Sequence, residues 1–235
     1  MDITREEALQ NMKDYEVDML DRFVWKEKYA EVPEDVKDFI KNRFLYANIN
    51  YRFAKQKNEY VRKLQDAGLK PQFMRPGSGY VYLSDALLAD VAVSAWLTID
   101  DDTKSNGILG LRSTISNYVK TYPILKIDKI EGKILNSPNI KWLRIIRNNI
   151  VAHSNIDIFQ HLDNISNNNA VVMMEKCFDE MFEVLQIIND TYFDTSIPKE
   201  HNLNIDEDFI EDVTKIFKKS ATEEMRQLYP MIFLP

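Results

Sequence analysis

Ala170-Val171-Val172-Met173-Met174-Glu175-Lys176-Cys177-Phe178-Asp179-Glu180-Met181-Phe182-Glu183-Val184-Leu185-Gln186-Ile187-Ile188-Asn189-Asp190-Thr191-Tyr192 is the stretch on which the fold turns. Val171, Met174, Phe178, Met181, Leu185, Ile188 and Tyr192 recur at alternating intervals of three and four. Residues so spaced stack along one side of an α-helix, so the stretch predicts a helix with a continuous apolar seam. A bundle core is the expected use of that seam, and a dimer seam is the alternative.

The rest of the chain follows the same period. Glycine is scarce, with six in 235 residues, and strand-like alternation is rare, so the chain reads as all-α. A first helix is expected from about Thr4 to Tyr29. Pro33 followed by Glu34 and Asp35 starts a second, which runs to Ala67 before Gly68. Unbroken, it would be about 50 Å long, with a kink near Asn48–Asn50 as the other option. Leu69 to Tyr80 holds two prolines and two glycines and reads as a loop. Ser84 is the expected cap of a third helix, with Leu83 and Leu88 as its hydrophobic staple. That helix ends near Asp100-Asp101-Asp102, and Lys104-Ser105-Asn106-Gly107 makes a turn. One or two shorter helices fit between Leu109 and Leu135, and a last helix from about Asp206 to Tyr229. The expected organisation is one helical domain over residues 1–235, with no internal repeat.

Composition bounds the function classes. At 45% hydrophobic and 29% charged the chain is expected to be globular. No apolar run approaches the roughly 20 residues that span a bilayer. The N-terminus, Met1-Asp2-Ile3-Thr4-Arg5-Glu6-Glu7, lacks the basic start and apolar stretch of a signal peptide. The single cysteine, Cys177, rules out an internal disulfide. The expected setting is a reducing cytoplasm, without membrane contact. Net charge is -7, but Lys104 to His153 carries nine Lys/Arg against two acids, while Ser154 onward carries sixteen acids against six bases. A basic middle in an acidic protein suits a local polyanion site or, more plainly, a solvated face.

Inside the basic region lies Arg147-Asn148-Asn149-Ile150-Val151-Ala152-His153, at the end of a helix that Ser137-Pro138 starts well, with serine as cap and proline in the first turn. Trp142, Ile146 and Ile150 line one apolar stripe, widened by Leu143 and Val151. Lys141, Arg144 and Asn148 line a polar one, with Arg147 beside it. Arginine holds a phosphate with paired donors, and histidine moves protons near neutral pH. The same residues also fit an ordinary amphipathic helix, with arginines in salt bridges and a histidine drawn to the negative helix end.

Arg147 to His153, with Ile146 leading in and Ala152 before the histidine, resembles the signature of the HEPN superfamily, in its abortive-infection toxin branch. That signature is an arginine, usually a polar residue, and a histidine a few residues on; here five intervene. The layout from about Glu34 to His153 is similar too. The resemblance implies a HEPN-like helical bundle over about residues 34–193, with additional N- and C-terminal helices and an extension over 194–235. It also implies a homodimer whose motif helices meet, and a metal-independent endoribonuclease without cofactor. That enzyme would be a toxin of bacterial defence or stress response, paired with an antitoxin or regulatory partner. By position, Arg147 would polarise the scissile phosphate. His153 would act as base on the ribose 2′-OH, or as acid to the leaving oxygen. Asn148 would orient one of them. Lys141, Arg144 and Asn149 are the expected RNA contacts. Other members of the superfamily are non-catalytic, so the alternative is a helical module binding RNA, a nucleotide or a protein partner.

Helix geometry adds a constraint. Six residues turn about 600°, leaving Arg147 and His153 about 120° apart around the axis. Either the helix distorts near Ala152, or two chains assemble the site. Among lesser candidates, His153, Asp157 and His161 could face one metal if helical. Asp100-Asp101-Asp102 could bind a divalent cation or simply solvate a turn. Asp90 is expected as a core contact or a partner of Arg147 or His153. Tyr118 and Tyr122, near Lys120, could stack on a base or pack in the core. No phosphate-binding loop, dinucleotide fingerprint or nucleophile elbow is present.

Overall fold

The computed structural model describes residues 10, 19–67, 79–100, 107–127, 130, 136–152, 167–195, 197 and 206–216, and for 79–85, 148–152 and 167–169 it describes the backbone alone. The fold is all-α. Among the described residues the main α-helices are, in order, α1 (Glu34–Asp66), α2 (Gly79–Ile99), α3 (Ile108–Val119), α4 (Pro138–Ala152) and α5 (Asn167–Tyr192). Residues 207–216 are also helical. Among the described residues the β-pairing is a single antiparallel bridge, Trp25 with Phe193. No helix among them is long and apolar enough to cross a membrane.

The chain divides into two compact units. The first comprises Met1–Tyr51, Leu97–Ser137 and Asp179–His201, the second Arg52–Trp96, Pro138–Phe178 and Asn202–Pro235. In the first unit an aromatic cluster forms the core. Phe23 meets Phe44 and Phe193 at 5.2 and 5.4 Å, and Trp25 meets Tyr29, Tyr192 and Phe193 at 5.0 to 5.5 Å between ring centroids. Such rings bury large apolar areas and gain further from edge-to-face geometry. The expected first helix does not reach Tyr29. Helix ends at Asp21, and residues 23–26 run without it. The run Phe23-Val24-Trp25 favours extended backbone. It lies along the end of α5 through Lys26 N–H to Tyr192 O (2.9 Å) and Asp194 N–H to Val24 O (2.9 Å). The Tyr192 hydroxyl, fully buried, donates to the Leu125 carbonyl at 2.6 Å. Burial pushes its phenol pKa far up, so it stays a donor.

In the second unit polar contacts link the helices. Lys57 on α1 pairs with Asp90 of α2 at 2.7 Å and donates to Ser94 at 2.9 Å. Arg62 on α1 lies 3.7 Å from Glu175 of α5. The Cys177 thiol on α5 donates to the Asn139 carbonyl of α4 at 3.3 Å. Leu64 packs with Ile210, flanked by Tyr60, Leu87 and Val213. Asp206 caps residues 207–216, its Oδ1 accepting the Phe209 N–H at 2.9 Å.

Two helices carry long seams. All seven α5 seam residues named above are buried, so the chain itself covers them. On α1, Ile40, Phe44, Ala47, Tyr51, Ala54, Asn58, Val61 and Gln65 alternate steps of four and three, and every one is buried. The helix is continuous through Asn48–Asn50, where the Asn48 amide donates to the Phe44 carbonyl at 2.9 Å. α2 begins at Gly79, five residues before Ser84, so that serine lies within the helix and is not its cap. Tyr80-Val81-Tyr82-Leu83 prolong the apolar run, and nothing in them stops a helix. Asp90 is not a core contact: its side chain is 52% exposed and pairs with Lys57. It occupies an outer position on a mainly apolar helix, where a carboxylate keeps its water.

Candidate functional site

α4 begins at Pro138, as the Ser137-Pro138 pair predicts. Ser137 is buried, and its hydroxyl donates to Glu180. The helix then continues through Ala152. Its packed face is centred differently from the sequence expectation. Ile140, Leu143 and Ile146 are the buried positions, whereas Trp142 is only half-buried and Ile145 is exposed. Leu143 is thus the middle of the stripe and not its margin.

That rotation changes the standing of Arg147. It falls four residues after Leu143 and seven after Ile140, so it shares their face. Its side chain is half-buried, while Lys141 and Arg144 are exposed. The two arginines converge on one ring. The Arg147 guanidinium carbon lies 5.7 Å from the Trp96 ring centroid, and that of Arg144 lies 5.9 Å from it. Trp96, near the end of α2, is 8% exposed. Both distances are within cation–π range, and the indole is the strongest aromatic partner for a guanidinium.

The chemistry of this pair follows from charge. Two cations a turn apart on one helix repel each other, and the indole faces offset that only in part. An anion between them would remove the repulsion. Arg144 has no carboxylate partner among the described residues and presents its donors to solvent beside Lys141. Arg147 is engaged beyond Trp96 as well. The arrangement therefore offers one open guanidinium, one held guanidinium and an exposed ammonium on the same helix. That set suits an anion with several oxygens, such as a phosphate.

The structure brings Lys141, Arg144 and Arg147 onto α4 and adds Trp96, which sequence reading missed. A tryptophan four residues before an acidic turn carries no signal that a cationic helix packs on it. Asn148 and Asn149 belong to the last turn of α4. Their side chains, and His153 with Asp157 and His161, lie outside the described residues, as do Asp101 and Asp102. Among the described residues no group of three or more His, Cys, Asp or Glu side chains is placed to hold a metal. Tyr118 is half-buried and meets Phe39 edge-on at 6.3 Å. Comparison with known proteins gives no match to a family model, a curated protein or a solved structure.

Proposed function

We propose that the chain is a metal-independent endoribonuclease of HEPN type, a toxin of bacterial defence or stress response that cleaves RNA by attack of the ribose 2′-OH. The observation that carries the reading is the convergence of Arg144 and Arg147 on Trp96. It fixes the motif arginine at one place on α4 and leaves a second guanidinium free to take a phosphate. In this reading Arg147 stabilises charge on the phosphate in flight. His153 moves the proton, Asn148 orients, and Lys141, Arg144 and Asn149 hold the strand. Six residues of ideal helix would set Arg147 and His153 about 120° apart around the axis. That supports a site completed by a second copy, and hence a homodimer. An antitoxin or regulatory partner would restrain it.

Purified protein is incubated with RNA in excess EDTA, beside Arg147→Ala and His153→Ala. Cleavage that leaves 2′,3′-cyclic phosphate ends and is lost in both variants is expected. Intact RNA with the wild type, or equal cleavage by all three proteins, refutes the reading. The half-burial of Arg147 favours one other reading, a non-catalytic helical module that binds RNA, a nucleotide or a protein partner. There the arginine is a packing residue, and Arg147→Ala loses stability while binding through Arg144 survives.

A further inference from the structure

We infer that Phe39 and Tyr118 form a platform in the first unit on which a base of single-stranded RNA stacks, an inference that rests on RNA being the ligand. Phe39, on α1, is a large aromatic residue 41% exposed to solvent. Exposed phenylalanine is costly, yet this ring has two neighbours that contact it. The Arg43 guanidinium carbon sits 4.9 Å from its centroid, and Arg43 itself is buried. Tyr118, at the end of α3, meets it at 74°. An aromatic ring fixed before the ligand arrives loses little entropy on binding.

The surroundings select a nucleic-acid base as occupant. Residues 108–127 carry Arg112, Lys120 and Lys126 and no acid. Lys120 and Lys126 are exposed. The Tyr118 carbonyl accepts the N–H groups of Thr121 (3.0 Å) and Tyr122 (2.7 Å), and so sets Lys120 in a tight turn directly after the platform. Cations beside an exposed ring are the elements of sequence-tolerant single-strand binding. Asp35, one turn before Phe39 on α1, and Asp38, next to it in the chain, are both exposed and count against a phosphate on that flank. The strand therefore runs toward Lys120. A protein partner is the poorer occupant, since a stable interface needs about 800 Å² on each side and one ring supplies little of it.

The test uses the full-length protein and a 2′-O-methyl oligonucleotide carrying 5-iodouridine, which cannot be cut by 2′-OH attack. Irradiation should cross-link it to the peptides holding Phe39 or Tyr118. Phe39→Leu, which keeps an apolar side chain, should weaken binding roughly 5- to 150-fold, the range of one lost stack. Cross-links confined to other peptides, binding unchanged in Phe39→Leu, or no binding by the wild type each overturn the inference. So does a change of sedimentation in Phe39→Leu, which would mark a second copy as the occupant. A Phe39 cross-link on a protein that cuts no RNA would uphold the platform and refute the nuclease.

Discussion

Replacing Gly107 by alanine should destabilise the first unit by an amount that can be worked from the coordinates. Gly107 precedes α3 with φ −78° and ψ 164°, an extended conformation that alanine adopts freely, so no backbone strain enters. The obstacle is space. A Cβ there would lie 2.5 Å from both the backbone nitrogen and the oxygen of Asp100, and 2.9 Å from the Ile99 carbonyl carbon. Ordinary contact begins at 3.4 Å, so the two segments must part by nearly 1 Å. These are backbone atoms and cannot swing aside. Overpacking of this kind costs about 1–3 kcal/mol. The parting also strains the bond from Gly110 N–H to Asp100 O, now 3.0 Å, worth about 1 kcal/mol. The expected loss is about 2–4 kcal/mol, or roughly 4 to 16 °C in melting temperature for a chain of this size. Urea denaturation followed by circular dichroism measures it, with Lys120→Ala at an exposed position as control. A Gly107→Ala midpoint equal to that of the control would refute the packing described between the end of α2 and the start of α3.

Tyr192→Phe leaves the buried Leu125 carbonyl without its donor and should cost about 1–3 kcal/mol in the same assay, with circular dichroism at 25 °C unchanged. Glu59 accepts hydrogen bonds from Arg62, which hold its carboxyl below the usual range. Its contribution is therefore present above the unfolded value of about 4.3 and lost as pH falls through the folded one. Glu59→Gln should be less stable than wild type at pH 7, by at most about 1 kcal/mol for a pair that solvent partly screens, and the difference should shrink as pH falls through the folded carboxyl's titration. Arg147→Ala should lose about 0.5–2 kcal/mol, the span of partly buried cation–π contacts. In a double-mutant cycle with Trp96→Leu, additive losses would show that the ring does not hold the arginine.

The elements that the sequence made legible are those whose apolar residues are large and unbroken. The α5 seam could be read at every position because no small or polar residue interrupts it. The equivalent seam of α1 escaped notice, since Ala47, Ala54, Asn58 and Gln65 do not register as apolar, although burial treats them as core. On α4, counting apolar residues gives full weight to the half-buried Trp142 and moves the centre of the packed face away from Leu143. A stripe also cannot reveal that a long arginine folds onto a neighbouring helix, so periodicity alone puts Arg147 at the polar border. Periodicity carried the first helix past Asp21, because it does not see the pairing with residues 192–194 that draws Phe23-Val24-Trp25 straight. Trp96 needs tertiary structure to be found at all, as its significance lies in what packs on it.

The α1 seam changes character along its length. Its first half is filled by Ile40, Phe44 and Tyr51, whereas its last two core layers place carboxamides at Asn58 and Gln65. The Asn58 Oδ1 and the Gln65 Nε2 are buried without a hydrogen-bond partner among the described residues. A polar atom so enclosed regains hydration when the surrounding turns open, which lowers the free energy of that opening. Amide protons near Asn58 and Gln65 should consequently exchange with deuterium sooner than those near Phe44 and Tyr51, on a helix that is continuous from end to end. Chain continuity and resistance to local opening are thus separate properties of α1. The first comes from its backbone, and the second from which side chains occupy every third or fourth position.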